Sequence, residues 1–130
     1  MHKLNVKEKY YNMLKLGIKT IELRLFDEKR RKIKIGDTIE FSNNSDADDK
    51  FTAQVINLYK ASNFEELCEN INCCDAGFSS NEELIDVLEE FYLKDKQIEF
   101  GVIGIEIRKK WYTILFKLKI IYFRKTKTIR

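Results

Sequence analysis

The chain has no proline, one histidine, one tryptophan, five glycines and three cysteines in 130 residues. Each scarcity excludes something. A single histidine, His2, leaves no second imidazole to activate a cysteine or to complete a zinc site. The cysteines, Cys68, Cys73 and Cys74, are odd in number and crowded into one region. A secreted disulfide framework uses an even, spaced set, and adjacent cysteines do not have zinc-ligand spacing. Three reduced thiols are expected, with no metal and no cofactor. No apolar run is long enough to span a bilayer, and the start Met1-His2-Lys3-Leu4-Asn5 has no apolar signal core. A soluble, cytoplasmic protein is expected. Acid is missing from one stretch: residues 108–130 hold nine Lys and Arg and no Asp or Glu. Residues 1–107 hold fifteen Lys and Arg against twenty-one acids, a balance of −6 beneath the overall +3. Attraction to a polyanion must therefore come from local patches or from the tail.

What is present is concentrated at Gly17-Ile18-Lys19-Thr20-Ile21-Glu22-Leu23-Arg24. Ile21, Leu23 and Leu25 alternate with Thr20, Glu22 and Arg24, which in a strand divides aliphatic from polar side chains by face. The polar face offers a carboxylate beside a guanidinium, and Lys19 joins from the turn. Opposite charges this close hold one another ionised and oriented. Such a trio can bind a polar or anionic ligand or do acid–base work. The same pattern also suits a half-exposed strand with ordinary ion pairs.

Around this stretch the chain predicts mixed α and β structure. Lys7 to Leu16 reads as a short helix with Tyr10, Tyr11, Met13 and Leu14 inward, and Gly17 suits the position just past its end. Segments 20–26, 37–42, 51–59 and 101–107 read as strands, and Asn43 to Asp49 as a polar turn. Ser62-x-x-Glu65 and Ser80-x-x-Glu83 fit capping boxes, the second opening a helix striped with Leu84, Val87, Leu88 and Phe91. Strands around two or three helices without a βαβ rhythm argue an α+β fold. Lys29-Arg30-Arg31-Lys32-Ile33-Lys34 reads as a basic loop between strands, suited to nucleic-acid phosphates or to simple solvation.

The spacing G-x-K-x-x-E-x-R, carried by Gly17, Lys19, Glu22 and Arg24, resembles the signature of the ASCH domain, a member of the PUA-like superfamily. Further blocks fit in order: Met1-His2-x-Leu4, Ile33 to Phe41 around Gly36-Asp37, Ser62 to Leu67, and the closing Gly101 to Ile107. The resemblance implies one domain over 1–107, a PUA-like, partly open β-barrel with flanking helices. It also implies a partner that is RNA or a modified nucleotide or nucleoside. Lys19, Glu22, Arg24, Arg30, Arg31 and Lys32 are then the expected ligand-binding residues.

Some small relatives remove an acyl group from acetylated cytidine and others are ribonucleases, so Lys19 and Glu22 become candidate catalytic groups. Lys19 would stabilise developing negative charge and Glu22 would act as general base. The amidohydrolase pattern has a threonine three residues after its lysine, and Glu22 stands there instead. Three classes thus stand side by side: an RNA- or nucleotide-binding module, a hydrolase on RNA or a modified nucleoside, and a structural or partner-binding domain.

The remainder, 108–130, departs from the family. Trp-Tyr-Thr-Ile-Leu-Phe-Lys-Leu-Lys-Ile-Ile-Tyr-Phe over 111–123 leads to a basic end. It reads as an extension outside the domain, as a nucleic-acid tail with Trp111 and Tyr112 stacking on bases, or as a membrane-surface segment. An additional strand packed on the domain is the other reading. Residues 1–109 alone are expected to fold, with a thermal melt beside the full chain as the check. If Trp111, Leu115, Leu118 and Phe123 pack on the core instead, removing each fully buried large side chain costs roughly 1.5–3 kcal/mol and the truncated chain melts early.

Overall fold

A computed structural model describes residues 1–109. In chain order the elements are β1 (His2–Val6), α1 (Glu8–Leu16), β2 (Ile21–Leu25), α2 (Glu28–Arg31), β3 (Thr38–Asn43) and β4 (Asp46–Ala61). Then follow α3 (Phe64–Leu67), α4 (Asn81–Phe91), α5 (Lys94–Phe100) and β5 (Val102–Lys109). The five strands form one sheet in the order β1-β3-β4-β5-β2, with β1 parallel to β3 and the other neighbours antiparallel. The sheet curls into a half-barrel flanked by helices, the α+β, PUA-like architecture the sequence predicts. Among the described residues no helix is long and apolar enough to cross a membrane.

Two apolar cores sit on opposite faces of the sheet, and β5 feeds both. Its Ile103, Ile105 and Ile107 join Leu4, Tyr11, Leu14, Ile39 and Phe41 inside the curl. Its Val102 joins Ile21, Leu23, Phe64, Leu67, Leu84 and Leu88 under α3 and α4. The period of two along a strand buried on both faces makes this division. His2 Nε2 lies 2.8 Å from Asp37 Oδ2, tying the start of β1 to the residue before β3.

Where local structure departs from expectation, a side chain usually explains it. Residues 2–6 form a strand beyond the four expected: Leu4 and Val6 alternate with exposed Lys3 and Asn5, and β3 supplies a parallel partner. The polar turn is only Asn44–Ser45, and Asp46–Asp49 already belong to β4. Asp49 is held there by Tyr11 Oη and Lys15 Nζ, both at 2.8 Å. The basic loop begins as helix α2, capped by the Asp27 carboxylate accepting from Arg30 N. Asn63, not Ser62, caps α3. Ser80 caps α4 as expected, while Glu83 Oε2 accepts from Ser79 N. In α1 Tyr11 and Leu14 are buried while Tyr10 and Met13 are half-buried, and in α4 Val87 is half-buried and Phe91 exposed. Helix α5 shows no apolar stripe; buried Gln97 anchors it by accepting from Phe64 N and donating to the Tyr92 carbonyl. Gly17 ends α1 at φ 81°, its N–H bonded back to the helix. The readings of Trp111 to Arg130 lie outside the described residues.

Phe41 is fully buried and stacks on Phe51 at 5.4 Å. Phe41→Ala is expected to cost about 3–5 kcal/mol in denaturant unfolding. A loss near zero would mean that the interior of the curl is not a packed core.

Candidate functional site

Strand β2 is an edge of the sheet, and its alternation places each side chain. Ile21, Leu23 and Leu25 face the helices, and Glu22 and Arg24 face the inside of the curl, paired in register with Ile105 and Ile103 of β5. The polar face of this strand therefore points into the molecule rather than into water. Lys19 is 3% exposed and Glu22 5%.

Buried charge persists only when paired and hydrogen-bonded. Lys19 Nζ donates to the Ala76 carbonyl at 2.7 Å and lies 3.3 Å from Glu22 Oε1. Glu22 Oε1 also accepts from Leu23 N at 3.3 Å. Arg24 donates twice to Glu22 Oε2, from Nε at 3.0 Å and Nη2 at 2.9 Å. Both carboxylate oxygens are thus occupied. Arg24 Nη2 also donates to the Asn5 carbonyl at 2.7 Å. That bond joins β2 to β1, the two free edges of the curled sheet, across the seam where no ladder forms.

The loop before α4 completes the cradle. Asp75 accepts through its carbonyl from Thr20 N and Ile21 N. Gly77, at φ 92°, lets the loop pass Lys19: a Cβ there would lie 3.3 Å from Lys19 Cδ. The Tyr10 and Phe78 rings lie 5.6 and 5.8 Å from Lys19 Nζ.

A cavity of about 210 Å³ opens at this seam. Lys19, Glu22 and Arg24 line one part of it, Tyr10, Phe78, Phe91 and Tyr92 an aromatic part, and Asn5, Lys7 and Asn44 also contribute. Lys7 Nζ sits 4.5 Å from the Phe91 ring centre. The sequence pattern groups the first three. It assigns Tyr10 and Phe91 to the core, and it does not single out Phe78, Tyr92, Asn5, Lys7 or Asn44. The one available signal is Tyr92 directly after Phe91, an aromatic pair at a helix end. Arg30, Arg31 and Lys32 do not line the cavity. Arg30 pairs with Asp27 at 2.8 Å, and Arg31 lies 4.4 Å from the Phe26 ring and donates to the Phe100 carbonyl.

The electrostatics follow from burial and pairing. Burial opposes the Glu22 charge, but Lys19 and Arg24 outweigh it and hold the carboxyl below the usual glutamate range. Burial pulls Lys19 below the usual lysine range, with Glu22 offsetting part of the effect. Desolvation also opposes the Arg24 charge, yet Glu22 outweighs it and pushes the guanidinium up. Burial raises the Tyr10 and Tyr92 phenols, which remain protonated and able to donate.

Because the folded Glu22 value lies below the ordinary 4.5, its stabilisation is present above that pH and is lost as pH falls through the folded value. Acid unfolding of the wild type should show this loss. Glu22→Gln should remove that part of the pH dependence and, by stranding Lys19 and Arg24, cost about 3–5 kcal/mol at neutral pH. Chemical unfolding across an acid series is the check, and an unchanged profile in Glu22→Gln would contradict the ion triad.

Comparison with known proteins agrees with the fold. The family model of the ASCH domain matches residues 4–120. The crystal structure of the hypothetical protein PH0355 is similar at 34% identity and TM-score 0.72, covering 82% of this chain and 96% of that one. The solution structure of protein PF0455 from Pyrococcus furiosus is similar at 32% identity and TM-score 0.64, covering 84% and 96%. An ASCH protein from Zymomonas mobilis shares the fold at 12% identity and TM-score 0.57, covering 82% and 66%. No curated protein matches the sequence. With the family model matched over residues 4–120 of a chain that folds as a half-barrel, the chain belongs to the ASCH domain family.

Proposed function

We propose that the protein binds RNA or a modified nucleotide by holding one base in the seam cavity. The observation that carries this reading is the composition of that cavity: buried cationic donors together with aromatic rings, Tyr10 and Phe78 standing 5.6 and 5.8 Å from Lys19 Nζ. Unpaired RNA bases are recognised by stacking on aromatic side chains and by hydrogen bonds to their edges. A volume near 210 Å³ is below the roughly 300–1,000 Å³ of pockets for drug-sized ligands, so one base fits better than a larger molecule.

The donors are already set. Arg24 Nη1 has no hydrogen bond among the described residues, and Lys19 has three N–H groups for two partners. Both favour acceptors: a base carbonyl, a ring nitrogen or a phosphate oxygen. Glu22, with both oxygens occupied, holds the two cations in place. This division of labour favours binding over hydrolysis, because a general base at neutral pH needs a carboxyl raised toward 7 and Glu22 is shifted the other way.

Phe91→Ala and Arg24→Lys test the reading. Phe91 is 45% exposed, so its truncation leaves the fold intact. It should weaken binding of nucleosides and single-stranded RNA about 5- to 150-fold, the equivalent of one missing base stack. Arg24→Lys keeps the charge, loses the planar fork and should weaken binding about tenfold or more. Calorimetric titration of both variants beside wild type is the check, and equal affinity across all three would move the ligand elsewhere.

A further inference from the structure

The seam cavity holds more positive charge than its own residues neutralise. Lys7, Lys19 and Arg24 line it, against the single carboxylate of Glu22 among the described residues. A carboxylate has about four lone-pair sites. Leu23 N, Lys19 Nζ, Arg24 Nε and Arg24 Nη2 occupy those of Glu22. Glu22 therefore has no acceptor capacity left for a ligand. The cations, by contrast, keep unused hydrogens. Arg24 Nη2 gives its second hydrogen to the Asn5 carbonyl, and Nη1 makes no hydrogen bond among the described residues. Lys19 Nζ has three hydrogens for two partners. Lys7 Nζ stands over the Phe91 ring, with no ion pair or hydrogen bond among the described residues.

The carboxylates outside the cavity do not correct this excess. Glu83 and Glu90 act on Tyr10 from α4, and Asp27 acts on Tyr92, but none of the three lines the cavity. Asp27 is paired with Arg30, and Glu83 accepts from Ser79 N. Charge held out of water without a counter-charge is costly. The cost is visible at Lys19, whose amine burial pulls below the usual lysine range. A stretch whose overall balance is −6 over 1–107 thus keeps a positive interior at this place.

We propose that the base held in the cavity carries a carboxylate beside its ring, so that the ligand is an acidic modified nucleobase rather than an ordinary one. This rests on the base-binding reading of the cavity and names the class of base. The ring stacks on the aromatic side chains. The carboxylate meets Arg24 Nη1 first, because the Arg24 side chain is 13% exposed against 3% for Lys19. Hydrogen bonds between two charged groups are roughly twice as strong as neutral ones. An ordinary base offers only neutral acceptors and leaves the excess charge in place. A nucleotide's own phosphate is the other source of such an anion. The volume of about 210 Å³ favours the carboxylate: a ring with a planar substituent needs less room than a ring, a ribose and a tetrahedral phosphate together.

The experiment uses the full chain at neutral pH and four probes: uridine, 5-carboxyuridine, its neutral isostere 5-carbamoyluridine, and uridine 5′-monophosphate. Calorimetric titration of the wild type should show 5-carboxyuridine binding at least tenfold tighter than uridine and 5-carbamoyluridine, the gain expected of one hydrogen bond to a charged group. It should also bind tighter than the monophosphate. Equal affinity for the carboxylate and its amide would overturn the proposal, as would a monophosphate that binds as tightly as 5-carboxyuridine, or no binding of any probe. Because the comparison is made on the wild type, it does not depend on a variant that folds. Phe91→Ala separates this proposal from the base-binding reading. If the variant weakens all four probes alike and the carboxylate brings no advantage in either protein, the base reading stands and the acidic ligand falls. If the carboxylate advantage is present in both proteins and Phe91→Ala changes no affinity, the anion grip stands and the stacked base falls.

Discussion

Lys19, Glu22 and Arg24 form a three-charge unit held almost out of water at the one place where the sheet does not close. Removing charges from water costs several kcal/mol per ion unless their hydrogen bonds are satisfied. Here one carboxylate serves two cations, and the backbone carbonyls of Ala76 and Asn5 take further hydrogens. Each bond also positions an element. The Ala76 bond fixes the loop before α4, and the Asn5 bond fixes β1 against β2. The triad is therefore both the chemistry of the cavity and the fastening of its walls.

A curled sheet with two free edges has a backbone hydrogen-bonding problem, because unpaired edges invite other strands. In this domain the edges of β1 and β2 approach one another, and a guanidinium spans the gap. A full ladder would have closed the barrel and eliminated the cavity. A side-chain bridge leaves space beside it, and α1 and α4 cover that space with Tyr10, Phe91 and Tyr92. The cavity is thus the volume that an incomplete barrel leaves open.

The charge distribution fits such a cavity. Acids dominate α3 and α4, with Glu65, Glu66, Glu82, Glu83, Glu89 and Glu90, while α2 and the triad carry the local positive charge. Negative and positive potential are thus separated over the surface. The phenols of Tyr10 and Tyr92, kept protonated, add neutral donors beside the cations.

The sequence by itself determined the strand that carries the site. Alternation over Ile21 to Leu25 separates two faces whatever the surroundings, because side chains alternate along any strand. The signature spacing, Gly17 at the end of α1, the Ser80 cap and the aliphatic run of β5 were legible for the same reason: each is a local rule of backbone geometry. Three things were decided only by tertiary structure. The polar face of β2 is internal, because the sheet curls until β1 approaches that face, where the Asn5 carbonyl accepts from Arg24. His2–Val6 is a strand, because β3 lies beside it in parallel. The cavity takes Phe78, Phe91, Tyr92, Asn5 and Asn44 from segments distant in sequence. Periodicity states which face a residue occupies on its own element. What that face meets depends on long-range pairing, and that is a property of the folded chain alone.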